Sequence, residues 1–163
     1  MRWLRHIFAP SVHRAFPPDR LQRITQAIAE GERGHRGQVM FAIEPDLPLR
    51  ALWKKVTPRH RAEHAFAVLR TWDTEANNGV LIYLLLADHA IEIVADRGLS
   101  ARVTAAQWQR ICERIRARMR SGEQEAAVLE AVADVCALLA QHFPATPGAA
   151  EPNELPDTPQ LLR

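Results

Sequence analysis

Apolar residues in the middle of the chain fall into three short, dense runs that indicate buried β-strands. They cover residues 38–44, 80–87 and 90–95. Only Asp88 and His89 separate the second run from the third, which predicts a β-hairpin with a two-residue turn. Each run is apolar at successive positions, so both faces of every strand should be covered by helices.

Helical periodicity predicts four longer helices around these strands. The first opens at Asp19, the second follows Thr57 as its N-cap, the third follows Thr104, and the last ends before Pro144. We expect buried side chains on their apolar stripes, among them Phe66, Leu69, Trp72, Trp108, Ile111, Ile115, Val132 and Val135. A strand–helix–strand unit makes the first two strands parallel through a right-handed crossover. The chain is therefore predicted to be an α/β protein, a three-layer α/β/α sandwich with a small mixed sheet containing one crossover and one hairpin.

The pattern divides the chain into a central domain, residues 19–143, and two flanking segments. Residues 1–18 form an amphipathic N-terminal segment with an apolar helical face of Trp3, Leu4, Ile7 and Phe8. This segment either docks on the domain or lies on a membrane surface with its arginines toward the headgroups. Residues 144–163 form a Pro-rich C-terminal tail with no core of its own.

Composition limits the classes of function. The 163 residues suit one domain, and the net charge of +2 does not indicate a nucleic-acid partner. Cys112 and Cys136 lie on apolar helical faces, which predicts buried free thiols. No apolar run approaches the about 20 residues of a membrane span, and the basic N-terminus lacks a secretory core. We expect a cytoplasmic monomer, which is peripheral to the membrane if the N-terminal segment lies on a membrane surface.

Four polar residues are predicted to meet at one end of the sheet. Because the hairpin reverses direction, Asp96 should lie beside Asn77 and Asn78, and Asp73 lies on the approach to the same edge. Hard cations such as calcium bind carboxylate, amide and carbonyl oxygens of this kind. The alternative is that these residues only form turns, since Asp and Asn are common at strand ends.

A second polar group is predicted at the opposite end, where Glu44, Asp46, Asp88 and His89 follow their strands. Ligands of open α/β sheets bind outside the carboxyl ends of parallel strands, which favours this end. The hairpin turn accounts equally well for the last two residues.

Short motifs contribute little. The segment 60–64 matches the H-x-x-E-H zinc pattern, with His60 and His64 as candidate ligands, but the helix already uses its other face for the core. Arg110, Arg114 and Arg118 form a basic row without interleaved aromatics, which is typical of a solvated helix face. The sequence holds no P-loop, G-x-S-x-G, C-x-x-C or dinucleotide-binding glycine motif.

The run NNGVLIYLLLADHAIEIVADRGL, residues 77–99, together with NELPD at 153–157, resembles the signature of the TPM-domain family. That family is named after a thylakoid-lumen protein, a photosystem II repair protein and an acetylcholine-receptor modulator. The resemblance implies an α/β/α fold, divalent-cation binding by acidic loops, and action on a membrane-associated protein complex. Two positions depart from the pattern, Asn77 where relatives often carry an acid and Gln38 where they often carry glutamate.

The resemblance leaves two functions open. The first is a non-catalytic accessory or binding module for an unidentified protein partner, with Asp73, Asn77, Asn78 and Asp96 as candidate calcium ligands. The alternative is a weak acid phosphatase, an activity attributed to a plant member of the family. Phosphoester chemistry needs a nucleophile or a metal-bound water, and the sequence shows no cysteine in a phosphate-binding loop.

Overall fold

Two layers of helices enclose a four-stranded sheet in the computed structural model, which describes residues 1–150 and 152–163. The strands are β1 (Gln38–Glu44), β2 (Gly79–Leu85), β3 (Ala90–Ala95) and β4 (Gln160–Leu161), in the order β3-β2-β1-β4. β1 is parallel to both β2 and β4, and β2 is antiparallel to β3. The predicted crossover, hairpin and three-layer α/β/α architecture are confirmed.

Eight helices lie within the described residues. They are α1 (Arg2–Ile7), α2 (Val12–Ala15), α3 (Pro18–Glu32), α4 (Leu49–Trp53), α5 (Pro58–Val68), α6 (Arg97–Ser100), α7 (Ala105–Arg120) and α8 (Gln124–His142). Two of the predicted caps are present: Thr57 accepts a hydrogen bond from the His60 amide, and Thr104 forms a capping box with Gln107. None of these helices combines the length and apolar character needed to cross a bilayer.

Alternate strand residues divide the core into two layers, as the twofold period of a strand requires. Val39, Phe41 and Ile43 pack into the larger cluster, which includes residues of α3, α7 and α8. Met40 and Ala42 belong to the smaller cluster with residues of α5. Since β2 alternates in the same way, its side chains are buried on both faces of the sheet.

The apolar stripes of α7 and α8 face the core as predicted, with Ile111, Ile115, Val132 and Val135 all buried. Trp108 is only half-buried, at the margin of that cluster. The prediction for Trp72 was wrong. Because α5 ends at Val68, this indole lies in the following turn, 46% exposed, where its N–H donates to a backbone carbonyl of α5.

The hairpin turn is longer than the predicted two residues. β2 ends at Leu85 and β3 begins at Ala90, which leaves residues 86–89 as a four-residue loop closed by the His89 amide on the Leu86 carbonyl. His89 adopts a positive φ of 48°, and four-residue hairpin loops commonly end in such a conformation. The apolar run of residues 80–87 therefore extends two residues beyond the paired strand.

The C-terminal tail packs on the domain and supplies a strand that the sequence pattern did not predict. Gln38 holds the segment that precedes this strand: its carbonyl oxygen accepts from the Glu154 and Leu155 amides, and its amide group donates to the Pro152 carbonyl. The Leu155 side chain is buried in the smaller core cluster. β4 then pairs with the carboxyl end of β1.

Candidate functional site

The start of β2 and the end of β3 meet through backbone hydrogen bonds at what we call the Asn78 end of the sheet, formed by residues 73–79 and 96–98. The Asp96 amide donates to the Gly79 carbonyl and the Gly98 amide donates to the Asn77 carbonyl, both at 2.9 Å. A Cβ at position 98 would lie 2.4 Å from the Asn77 carbonyl oxygen and 2.7 Å from that of Ala76. Only glycine allows these carbonyls to approach so closely.

Asn78 is fully buried at this end, and its amide is held in one orientation. Its backbone N–H donates to the Thr74 hydroxyl at 3.1 Å, and its side-chain NH2 donates to the Arg36 carbonyl at 3.0 Å. The side-chain oxygen Oδ1 is also buried, and it accepts no hydrogen bond from any described residue. A buried amide oxygen without a donor is unfavourable, so a ligand that binds it would be stabilised.

Asp96 carries the second unpartnered oxygen. Its Oδ1 accepts from the Arg97 amide at 2.7 Å, which makes the residue the N-cap of α6. Its Oδ2 is buried without a donor from the described residues. A carboxylate oxygen removed from water in this way favours a cation or another donor nearby.

The other two predicted ligands are engaged with arginines. Asp73 is exposed and accepts from Arg70 at 2.6 Å. Asn77 lies beside Asn78 with a positive φ of 52°, and its side-chain oxygen accepts from Arg97 Nε at 2.9 Å. The hairpin thus brings three of the four predicted residues together at this end, while the Asp73 carboxylate is held at the surface by its own turn.

The oxygen donors at the Asn78 end fit a hard cation, although few of them carry a charge. Calcium takes six to eight oxygens, and this end offers a carboxylate, an amide and closely packed backbone carbonyls. Within residues 1–150 and 152–163, no group of three or more His, Cys, Asp or Glu side chains could hold a metal ion. A cation here would therefore depend on neutral oxygens for most of its coordination.

The H-x-x-E-H segment forms no zinc site. His60 and His64 are exposed on α5, and the intervening Glu63 binds Arg59 at 2.9 Å. The segment instead contributes Arg61, which points to the sheet and binds the buried carboxylate at the end of β1. Its guanidinium donates two hydrogen bonds to Glu44, of 2.6 and 2.7 Å.

Glu44 is fully buried at the opposite end, the Asp88 end, which comprises Glu44, Asp46 and residues 86–89. Besides Arg61, it accepts a hydrogen bond of 2.5 Å from the Tyr83 hydroxyl. Burial and this carboxylate raise the pKa of Tyr83 well above its ordinary value, so the phenol remains a donor. Both carboxylate oxygens of Glu44 are thereby satisfied, and the group serves as a structural ion pair.

Asp88 anchors the N-terminal segment at the same end. Its carboxylate accepts from the Arg2 guanidinium at 2.6 to 3.1 Å and lies 3.2 Å from His6 Nε2. His6 Nδ1 in turn accepts from the Leu47 amide at 2.9 Å. Burial alone would raise the pKa of Asp88, but Arg2 and His6 hold it below its ordinary value. Arg2 and His6 therefore dock the N-terminal segment on the domain, and these contacts leave the outer face of α1 exposed.

Neither cysteine has the character of a nucleophile. Burial raises the pKa of Cys136 to about 12 and also raises that of Cys112, so both remain thiols at neutral pH. The arginine row of α7 is paired with acids: Arg114 binds Asp134 at 2.5 Å and Arg118 binds Glu123 at 2.7 Å. This pairing agrees with a solvated helix face.

Several contacts at both ends could not be found by sequence reasoning. Gln38 binds the tail across more than a hundred residues, and His6 reaches Asp88 across 82. No periodic signal connects such distant positions. For Arg61 a signal existed, because it lies on a helix that must cover a strand ending in glutamate.

Comparison with known proteins identifies a family and solved structures of similar fold. The family model of the TPM domain matches residues 13–138. The NMR structure of BA42 protein from the psychrophilic bacterium Bizionia argentinensis is similar in fold, with a TM-score of 0.76 and 23% sequence identity. That similarity covers 88% of this chain and 92% of BA42. No curated protein matches the chain significantly in sequence.

Proposed function

The chain belongs to the TPM-domain family, and from this premise we propose that it is a non-catalytic binding module that takes up a divalent cation at the Asn78 end and acts on a protein partner. One observation supports the cation: the two buried, unpartnered oxygens Asn78 Oδ1 and Asp96 Oδ2. Asn78 directly precedes β2 and Asp96 directly follows β3, and the Asp96–Gly79 backbone hydrogen bond joins the two strands at this point.

Local structure orients both oxygens. The Asn78 NH2 group is fixed on the Arg36 carbonyl, so its Oδ1 cannot exchange places with the amide nitrogen without losing that bond. Asp96 keeps Oδ1 on the cap of α6 and leaves Oδ2 for a ligand. A bound cation would link the start of β2 to the end of β3 and the start of α6. The cation would thereby stabilise the loops at the Asn78 end as a surface for the protein partner.

The affinity should be low. Of the two buried, unpartnered groups, Asp96 alone carries a negative charge, and Asp73 or Asn77 could contribute only by leaving Arg70 or Arg97. Calcium sites with few charged ligands, as in extracellular modules, have dissociation constants of about 0.1–1 mM. Asn77 is uncharged at a position where relatives often carry an acid, so the site has less negative charge for a cation.

The same residues give little support to the alternative phosphatase activity. Hydrolysis of a phosphoester needs a nucleophile or a metal-bound water, together with positive charge at the leaving oxygen. The two thiols are protonated, and the carboxylates of Glu44 and Asp88 are taken up by arginines. We therefore propose no catalytic residue.

Thermal unfolding tests the cation site. At a calcium concentration tenfold above the dissociation constant, ligand binding should stabilise the fold by about 1.4 kcal/mol and raise Tm by about 3–6 °C. Asp96→Asn should abolish this shift while keeping the fold, because asparagine is an equally good N-cap. Isothermal calorimetry with calcium should show the same loss.

Asp73→Asn is the matched control, since it removes the same charge from a residue that is bound to Arg70. It should retain the calcium shift. An equal Tm for the wild-type protein in 10 mM calcium and in chelator would contradict the cation site. Turnover of p-nitrophenyl phosphate by the wild-type protein would support the phosphatase instead.

A further inference from the structure

Helix α1 is attached to the domain by its polar face. Arg2 and His6, one turn apart, point to Asp88 at the hairpin loop. The opposite face, formed by Trp3, Leu4, Ile7 and Phe8, is exposed, and Phe8 is 79% accessible. A surface helix ordinarily buries its apolar stripe against the core. This helix does the reverse, so its apolar face is available to something outside the chain.

Helix α4 extends the same surface. Leu49 and Trp53 are exposed, the latter 83%, and they line a shared groove with Trp3. We call the six side chains the apolar platform: Trp3, Leu4, Ile7, Phe8, Leu49 and Trp53. Exposed apolar residues that are contiguous, unlike scattered ones, mark an interaction site.

The exposed charge around the platform is mainly positive, because Asp88 is buried against Arg2 and Glu44 against Arg61, and Asp46 is the part-exposed acid of this end. The segments that carry the platform, residues 1–18 and 48–58, contain six basic side chains and no acidic one. The whole chain has 21 basic and 19 acidic residues, so the remainder holds 15 basic against 19 acidic, a net charge of −4. The positive charge of the protein is therefore concentrated beside its exposed aromatics.

The composition of this rim identifies the partner. Both lysines of the chain, Lys54 and Lys55, are exposed next to Trp53. Lysine is depleted at protein–protein interfaces, whereas lysine beside tryptophan is typical of the membrane interface, where the ammonium group reaches the headgroups. We propose that the apolar platform and its basic rim dock this protein on the surface of an anionic phospholipid bilayer.

Docking in this manner orients the domain. The platform surrounds the Asp88 end, while the Asn78 end lies at the other end of β2, a strand of seven residues. At about 3.3 Å per residue, the two ends are separated by about 23 Å. The proposed cation site would face away from the bilayer, so membrane docking and cation binding are independent of each other.

Vesicle co-sedimentation of the full chain tests the proposal. Vesicles of 30% phosphatidylglycerol in phosphatidylcholine should bind the protein, and vesicles of phosphatidylcholine alone should bind it much less. Trp3→Ala/Trp53→Ala should weaken binding at least about tenfold, because it removes the two aromatic anchors. Trp72→Ala is the matched control: Trp72 is 46% exposed, the same as Trp3, but adjoins Asp73, away from the platform. It should bind normally.

A second pair of variants tests the charge. Lys54→Glu/Lys55→Glu should reduce binding to anionic vesicles at least about tenfold, since each basic residue at such a surface contributes about fivefold. Arg110→Glu/Arg120→Glu, the same charge change on the exposed face of α7, should leave binding unchanged. The proposal would be overturned if Trp3→Ala/Trp53→Ala bound vesicles as well as Trp72→Ala does. Equal vesicle binding by the lysine double variant and the arginine double variant would also overturn it. The proposal would also be overturned if the wild-type protein does not bind vesicles but forms a dimer, and if Trp53→Ala dissociates that dimer.

Discussion

The two ends of the sheet treat their buried carboxyl groups in opposite ways. At the Asp88 end, Arg2 and His6 hold the pKa of Asp88 below its ordinary value, and Glu44 is bound by Arg61 and Tyr83. Next to the Asn78 end, burial raises the pKa of Glu32 to about 8; the Val39 amide that donates to this carboxylate lowers the pKa, and the nearby Asp157 raises it. Arginines bind the buried carboxylates at the Asp88 end, whereas at the Asn78 end they bind Asp73 and Asn77 and leave the buried oxygens of Asn78 and Asp96 without a donor.

This difference separates structural polar groups from available ones. A carboxylate whose oxygens all have donors stabilises the fold and offers little to a ligand. The Asn78 end, in contrast, has oxygens without donors at Asn78 and Asp96. The general rule for ligand sites in α/β sheets favours the carboxyl ends of parallel strands, which here is the end filled by the chain's own arginines.

Removing Arg61 should give the largest effect on stability. Arg61→Ala leaves the fully buried Glu44 with only the Tyr83 hydroxyl as a donor. Breaking a buried ion pair in this way costs about 3–5 kcal/mol of unfolding free energy, which urea denaturation measures. Glu63→Ala, which breaks the exposed Arg59–Glu63 pair on the same helix, should cost less than about 1 kcal/mol. Similar losses in the two variants would mean that the Asp88 end is not held by its ion pairs.

An intermediate effect is expected for Asp88→Ala. Hydrogen bonds to a charged group contribute about 1.5–3 kcal/mol, so the variant should lose about that much unfolding free energy at pH 7. Because the folded-state pKa of Asp88 is depressed, its contribution exists above the ordinary value of 3.8 and is lost as pH falls through the lower folded value. The difference between variant and wild type should therefore shrink toward pH 3. A difference that stays constant with pH would show that charge is not what holds α1.

The smallest effect concerns Glu32 and has the opposite pH dependence. A raised folded-state pKa means that stability is fully present below about 4.5 and falls as pH rises through about 8. Between pH 5 and pH 9, the wild type should lose about 1–2 kcal/mol relative to Glu32→Gln, which keeps an oxygen for the Val39 amide. This is less than the full pKa shift would give, because solvent screens the part-exposed carboxyl group. Parallel stability curves for the two proteins would remove the contrast between the ends of the sheet.

Sequence reasoning reached the fold because the fold depends on local, periodic signals. The apolar strands, the caps at Thr57 and Thr104 and the hairpin could all be found from spacing alone. The outward apolar face of α1 could not, because periodicity identifies a stripe without showing which side the domain occupies. β4 was missed for a similar reason: the interactions that place it involve Gln38 and residues more than a hundred positions away.

For the candidate site, the sequence predicted which backbone segments meet but not the partners of the side chains. Antiparallel register places Asp96 beside Gly79, and this follows from the hairpin pattern. The hydrogen bonds from Arg70 to Asp73 and from Arg97 to Asn77 could not be predicted, since a surface guanidinium can reach many acceptors. The longer hairpin turn was obscured because Leu86 and Ala87 are buried as deeply as the strand before them.

The contact between Gln38 and the tail also has a consequence for aggregation. Without residues 152–163, β1 would become an open edge strand, a flat apolar template for pairing with another chain. β4 blocks the end of that edge at Ala42 and Ile43, and the Gln38 side chain fastens the incoming segment at its beginning. The proline-rich tail therefore covers the carboxyl end of the β1 edge against pairing with another chain.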